Sequence, residues 1–343
     1  MMKSGRSLAV LALGVATICG AVAISCLFGA QPVSLAHALA GVDPDRAILF
    51  DLRLPRALLG VVVGCALASA GTALQALLRN PLAEPFVLGV SGGAALGGSL
   101  VLVAANAATR LVGPAAAVLA STSPVAVGAV AGAAGATLLV FALGRIQGRL
   151  VPEAALLVGV VFNAFAAAVI TLLQFLVAPQ QAVQLLRWLI GAIRYEQSGT
   201  IAVGAVCMLA AVGALGILSA RLNLLALGED EAASLGVHVG RTRAAVLLAA
   251  SAATGAAVAL SGMIGFVGLI VPHAARRVLG PDHRLLLPAS ALFGAAFLVL
   301  ADALARIAFL PLGTEPPVGA LTAFLGGPLF LWLLRRAERP PRG

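Results

Sequence analysis

Residues 53–98 read RLPRALLGVVVGCALASAGTALQALLRNPLAEPFVLGVSGGAALGG. Two arginines flank Pro55, an apolar run extends to Leu77, and Arg79-Asn80-Pro81-Leu82-Ala83-Glu84-Pro85 then interrupts it before a second run rich in glycine and alanine. A helix needs about 20 apolar residues to cross a hydrocarbon core of roughly 30 Å, so each run reads as a membrane span and the segment between them as a turn. Asn80, Pro81 and Pro85 break the chain where irregular backbone must be satisfied by protein or water. That makes the turn a candidate gate or partner contact, with a rigid connection as the plain alternative.

The remainder of the 343 residues repeats this alternation. With 61% hydrophobic residues, 10% charged and a mean hydropathy of +1.07, the composition excludes a soluble globule. Ten spans are expected, at 7–29, 55–77, 87–108, 118–143, 153–177, 199–220, 243–261, 264–278, 285–304 and 317–334. The eighth is short and contains Pro272, the pattern of half a helix. The fold class is therefore an all-α polytopic membrane protein of about ten transmembrane helices, one domain over residues 1–343.

Lys and Arg concentrate in short cytoplasmic loops. Starting inside, the count of spans places 15 of the 22 basic residues in the cytoplasm, among them Lys3, Arg6, Arg79, Arg145, Arg243, Arg276, Arg277 and Arg335. Arg46, Arg53, Arg56, Arg110, Arg187, Arg194 and Arg306 fall on the opposite side. Both termini are then cytoplasmic. Membrane topology accounts for the net charge of +9, and no basic and aromatic patch points to nucleic acid. Lys3 and Arg6 before an apolar run, with Ala38-Leu39-Ala40 after it, imitate a secretory signal, but the run is too long for a signal core and reads as an uncleaved first helix. Cys19, Cys26, Cys65 and Cys207 all lie in spans, form no CxxC pair and read as small packing residues. Pairs such as Gly60/Gly64, Gly89/Gly93 and Gly128/Gly132 let helix backbones approach where lipid supplies no hydrophobic drive.

Several mechanisms have no residues to support them. Ion-driven carriers place ionisable groups at mid-membrane depth, whereas here Glu153, Asp302 and His273 sit at span ends and His37, His238 and His283 in loops. A phosphate loop needs a lysine at the phosphates, and the sole lysine is Lys3. No nucleophile elbow or HExxH pair is present. The chain reads as a non-enzyme. An ion-coupled secondary transporter remains the alternative from another class, and Asp302 is the residue through which it would work.

The most charged cytoplasmic loop, NLLALGEDEAASLGVHVGRTR at Asn223–Arg243, places Glu229, Asp230 and Glu231 in the first turn of a short helix beginning near Gly228 and ending at Gly236. Ala232, Ala233 and Leu235 give it a small apolar face that suits a groove on a partner, against the plainer reading of a solvated connection.

These blocks together resemble the FecCD-type permeases of type II ATP-binding-cassette importers for ferric siderophores, haem and vitamin B12. The resemblance is carried by Arg53-Leu54-Pro55-Arg56, by Arg79 to Pro85, by Leu88 to Ala94, by Leu227 to Val237, by Ser261 to His273, by Gly280 to Arg284, by Asp302 to Arg306, and by Pro317 to Phe330. It covers nearly the whole chain in family order. It implies the type II importer permease fold in the inner membrane and a second permease subunit, the same chain or a paralogue. It further implies two ATPase subunits that hold the ATP and magnesium, and an extracytoplasmic binding protein. It leaves no cofactor in this chain, and the cargo it implies is first a ferric siderophore, with haem or cobalamin next.

The resemblance assigns binding-protein docking to Arg53, Arg56 and Arg306, each of which the charge count places outside; anchoring of span ends at the headgroups is the plainer reading. It makes 224–240 the cytoplasmic coupling helix, with Gly228, Glu229, Asp230, Ala232, Leu235 and Gly236 toward the ATPase. It gives the path or gate Gln75, Asn80, Pro81, Pro85, Ser91, Gly92, Asn163 and Gln174, for which hydrogen bonds between helices are the other explanation. Glu84 in place of the commoner Asp, the Gly92-Gly93 pair, and the long alanine-rich segment at 104–122 depart from many siderophore permeases.

Overall fold

The computed structural model describes residues 4–29, 31–112, 122–146, 148–194, 198–308 and 315–337. In chain order the helices are α1 Ser4–Leu27, α2 Leu35–Leu39, a π-helical segment Ala47–Arg53 running directly into α3 Leu54–Leu77, α4 Val90–Val112, α5 Thr122–Leu143, α6 Pro152–Leu176, α7 Pro179–Leu189, α8 Ser198–Leu227, α9 Glu229–Ser234, α10 Val239–Ser261, α11 Val267–Leu279, α12 His283–Ala308 and α13 Val318–Ala337. A two-residue hairpin, β1 Arg145–Ile146 with β2 Arg149–Leu150, joins α5 to α6. Each of the ten expected spans coincides with a helix. Residues 118–121 of the fourth expected span, Lys3 and the basic C-terminal residues beyond Ala337 lie outside the described residues.

Among the described residues, eight helices are long and apolar enough to cross a membrane. α11 is not: its 13 residues span about 20 Å at 1.5 Å per residue, short of a roughly 30 Å core, so it starts within the membrane depth. The expectation of half a helix is met. Two boundaries differ from the sequence reading. The second span begins at Ala47 because the π turn carries helical backbone through Arg53, with the N–H of Leu54 bonded to the carbonyl of Leu49, so Pro55 marks the passage from π to α and not an entry from a loop. α12 runs to Ala308, which puts Asp302 inside a helix and not at a span end.

α3 is the axis of the bundle. It packs on α12, α8, α10 and α11, and it is buried over most of its length, as are α10 and α12; α1, α6 and α8 turn apolar faces outward. Glycine sets how closely these helices meet. Gly64 of α3 rests on the backbone of Gly294 in α12, Gly71 on the carbonyl of Gly268 in α11, and Gly93 and Gly97 of α4 interleave with Gly128 and Gly132 of α5. Gly89 serves twice: with φ +81 it sits in the turn before α4, and a Cβ there would lie 3.5 Å from the Cα of Gly159 in α6.

A Cβ on Gly64 would lie 2.9 Å from the carbonyl carbon of Gly294, whereas one on Gly213 would meet nothing within 4 Å. Gly64→Val therefore forces α3 from α12, and overpacking of this kind costs about 1–3 kcal/mol. The detergent-solubilised protein should lose thermal stability with Gly64→Val and not with Gly213→Ala, as followed by the monodisperse fraction after heating.

Candidate functional site

One end of the bundle holds an ionic cluster. Asp302 on α12 receives a bidentate pair from Arg56 on α3, Nε to Oδ2 at 3.0 Å and Nη2 to Oδ1 at 2.9 Å, and ion-pairs with Arg306 one turn on at 3.3 Å. Arg306 also donates to the carbonyl and hydroxyl of Ser25 at 3.2 and 2.7 Å. Arg53 donates to the carbonyls of Cys26 and Leu27 at 2.8 and 3.2 Å, and to that of Gln31. These are carbonyls at the frayed C-terminal end of α1, where a guanidinium supplies the missing donors and meets the negative end of the helix dipole. Arg53 and Arg306 are thus buried and committed within the chain. Arg56 is a quarter exposed and spends its remaining nitrogen on the surface carboxylate of Glu315, 3.1 Å away.

Beside Arg56 and Glu315, a concavity of about 450 Å³ is lined by Arg187, Ile190, Ile193, Arg194 and Pro317. α7 builds one wall. Its run PQQAVQLLRWL starts on Pro179 and ends at Gly191, whose φ of +75 turns the chain so that the N–H of Ala192 reaches the carbonyl of Ser261 at 2.7 Å. The N–H of Gly319 bonds in turn to the carbonyl of Gly191 at 2.9 Å, gathering the outer ends of α7, α10 and α13.

Ile190 also lines a second cavity, a groove of about 630 Å³. Its wall continues through Met263, Phe266, Leu269, Ala323 and Phe330 to Asn80, Leu82, Glu84, Phe86 and Val87, connecting the concavity at Arg56 with the 78–89 turn. The two breaks in the helices meet there. Phe266 opens α11 with φ +69 and has no side chain able to cap it, and the carboxylate of Glu84 accepts its N–H at 2.5 Å. Asn80 accepts the N–H of Leu82 at 2.8 Å, while Asn163 on α6 donates to the carbonyl of Phe86 at 2.6 Å.

The residues expected along the path divide accordingly. Asn80 lines the groove, Pro81 and Pro85 shape the turn, and Asn163 pins the turn from α6 while pressing on Gly92. Gln75 faces elsewhere, donating to the carbonyls of Gly268 and Leu269 at 3.3 and 3.5 Å, so it joins α3 to α11. Ser91 is buried in the first turn of α4, and Gln174 is half-buried on α6; neither lines the groove. Glu84, Phe266 and α7 carry the geometry and were not singled out by sequence. Pro81 and Pro85 bracketing Glu84 in a turn between spans was the signal available for the first.

At the opposite end of the bundle, α9 occupies Glu229–Ser234, and Gly236 at φ +83 closes it. The expected apolar face is split. Ala232 is fully buried against the bundle, Gly228 is buried, and Glu229 is held by Arg243 at 2.6 Å; Asp230, Ala233, Leu235 and Gly236 are outward. The end of α8 is clamped to the start of α12: Asn223 donates to Asp282 at 2.7 Å and its carbonyl oxygen accepts from the backbone N–H of His283 at 2.8 Å and from its ring Nδ1 at 2.7 Å. Burial pushes the Asp282 carboxyl up, but the N–H of Arg284, the Asn223 amide and the charge of Arg284 outweigh it and hold it below the usual carboxylate range.

The profile of the FecCD transport family matches residues 12–336. The hemin transport system permease protein of Yersinia pestis is 44% identical over 298 residues, 86% of this chain and 85% of that protein. A cobalamin import system permease protein of Halobacterium salinarum is 40% identical over 298 residues, 86% and 75% of the two chains. A metal-chelate type ABC transporter solved in an inward-facing conformation superposes with a TM-score of 0.80 at 30% identity, over 96% of this chain and 99% of that one.

Asp302 is itself buried and pairs with both Arg56 and the buried Arg306, whereas Glu315 pairs with Arg56 at the surface. Removing one partner from a buried pair costs about 3–5 kcal/mol, and a surface pair contributes about 0–1. Asp302→Asn should sharply lower the yield and melting temperature of the purified protein, and Glu315→Gln should leave both nearly unchanged.

Proposed function

The chain belongs to the FecCD transport family and is the permease subunit of an ATP-binding-cassette importer, and on that premise we propose that it passes an iron chelate from an extracytoplasmic binding protein to the cytoplasm. The single observation carrying this reading is the groove that connects the arginine-bearing outer mouth with the broken turn beside the short helix α9. Two copies, or this chain and a paralogue, would face each other across such grooves. Two separate ATPase subunits, holding ATP and magnesium, would engage α9 through Asp230, Leu235 and Gly236. Closure of the ATPases on nucleotide would move α9 and open the groove alternately to each side. Both termini would lie in the cytoplasm and the protein in the inner membrane.

On the opposite face the docking role expected of three arginines falls chiefly to Arg56, with Glu315, Arg187 and Arg194 around it. Charges at such a rim steer encounter and fix register more than they set affinity. Asp302 gives little support to an ion-coupled carrier, since both of its carboxylate oxygens are already taken by Arg56 and Arg306.

Within the class of iron chelates the groove favours haem, because Asn80 and Glu84 are the only side chains with polar groups in its lining among the described residues. The hemin permease of Yersinia pestis is consistent with that choice. A ferric siderophore is the alternative, and cobalamin follows.

The test is uptake of labelled haem, a ferric hydroxamate and cyanocobalamin by proteoliposomes containing the permease, its ATPase and its binding protein. Uptake should require all three proteins and ATP. Arg56→Glu should raise the binding-protein concentration for half-maximal uptake about tenfold at low salt and less at high salt. Uptake that persists without the ATPase and responds to a proton gradient would replace this reading with the carrier.

A further inference from the structure

Arg79 stands where the chain leaves α3, in the left-handed conformation at φ +47. Its N–H bonds to the carbonyl of Ala76 at 3.3 Å, and that of Asn80 to the carbonyl of Gln75 at 3.2 Å. This pair of bonds closes a helix with a left-handed residue that is usually glycine. α9 ends with the same pair, Gly236 to Ala233 and Val237 to Ala232, and there the left-handed residue is indeed a glycine. A large side chain in that conformation is a standing penalty on the fold, so its retention calls for a purpose in the side chain.

The side chain supplies one. Nε and Nη2 of Arg79 both donate to the carbonyl of Leu225, at 3.2 and 2.8 Å. Leu225 lies in the last turn of α8, whose carbonyls have no partner within the helix and carry its negative end. Two residues separate it from Gly228, which leads directly into α9. On its other side Arg79 opens the 78–89 turn, whose Asn80, Leu82 and Glu84 line the groove and whose Glu84 caps α11 at Phe266. The planar guanidinium brings two fixed donors to that one oxygen, where an ammonium would bring one.

We propose that Arg79 is a positioning residue that links the α8–α9 unit to the 78–89 turn, delivering the displacement of α9 on nucleotide binding to the wall of the groove. The proposal rests on the importer reading above. It sets fold stability and transport in opposition at one residue, because glycine would suit the backbone and abolish the link.

The decisive variant is Arg79→Gly in the full complex with ATPase and binding protein, reconstituted in lipid. Melting temperature should be unchanged or higher and basal ATP hydrolysis retained, while uptake of the labelled chelate per ATP hydrolysed falls about tenfold or more. Arg79→Lys, which restores a single donor to Leu225, should recover part of the coupling. An Arg79→Gly complex that transports as well as wild type overturns the proposal alone. One that melts lower and loses hydrolysis and uptake in proportion also overturns it, since Arg79 would then be merely structural. Wild-type complex that takes up haem, ferric hydroxamate and cyanocobalamin without need of ATP overturns the importer reading, and this proposal with it.

Discussion

A backbone N–H or carbonyl left without a partner in hydrocarbon costs several kcal/mol, and among the described residues the helices break at the 78–89 turn and again just before α11. The remaining architecture follows from how those two breaks are satisfied. Glu84 supplies the cap that Phe266 cannot, Asn80 folds the turn onto Leu82, Asn163 reaches from α6 to the carbonyl of Phe86, and Gln75 reaches from α3 to two carbonyls of α11. These four polar side chains, odd in an apolar sequence, each answer a carbonyl or N–H at or beside a break. The groove exists because the breaks hold back α11 and the 78–89 turn from filling the space between α6, α7 and α13.

Charge is distributed by the same rule. The buried arginines of the outer end do not face one another unopposed: Arg56 and Arg306 share Asp302, and Arg53 turns to the carbonyls at the end of α1. At the inner end the clamps are smaller and nearer to water, with Arg243 on Glu229 and Asn223 on Asp282 and His283. The Asp302 cluster is compact and the contacts at the α9 end are separate, an arrangement suited to a body in which one end moves against the other.

Hydropathy alone located all ten helices, since lipid leaves a signal of 20 apolar residues that no later packing can erase. The half-length of α11 was readable from Pro272 and from the short run around it. The positions of α9 and its terminator Gly236 followed from three acidic residues and a glycine at helix-end spacing. What was not readable is everything that depends on contacts across the sequence. Arg53 looked like a surface arginine because its partners, Cys26 and Leu27, lie a whole span away. Gln75 looked like a path residue because nothing local shows that α3 turns that face to α11. α7 escaped notice because it is too short for a span and, with its glutamines and Arg187, too polar to stand out from a loop.

The shortness of α11 bears on how the protein is made. A segment of 13 residues with two arginines in its last turn does not carry enough apolar length to leave the translocon on its own. Its N-terminal cap comes from Glu84 and its backbone contacts from Gln75, residues synthesised some 180 positions earlier. α3 and the 78–89 turn are therefore in place before α10, α11 and α12 emerge, and offer these later helices a ready contact. Order of synthesis thereby becomes part of the folding code: the early turn at 78–89 serves as the internal chaperone for a late helix that lipid by itself would not accept.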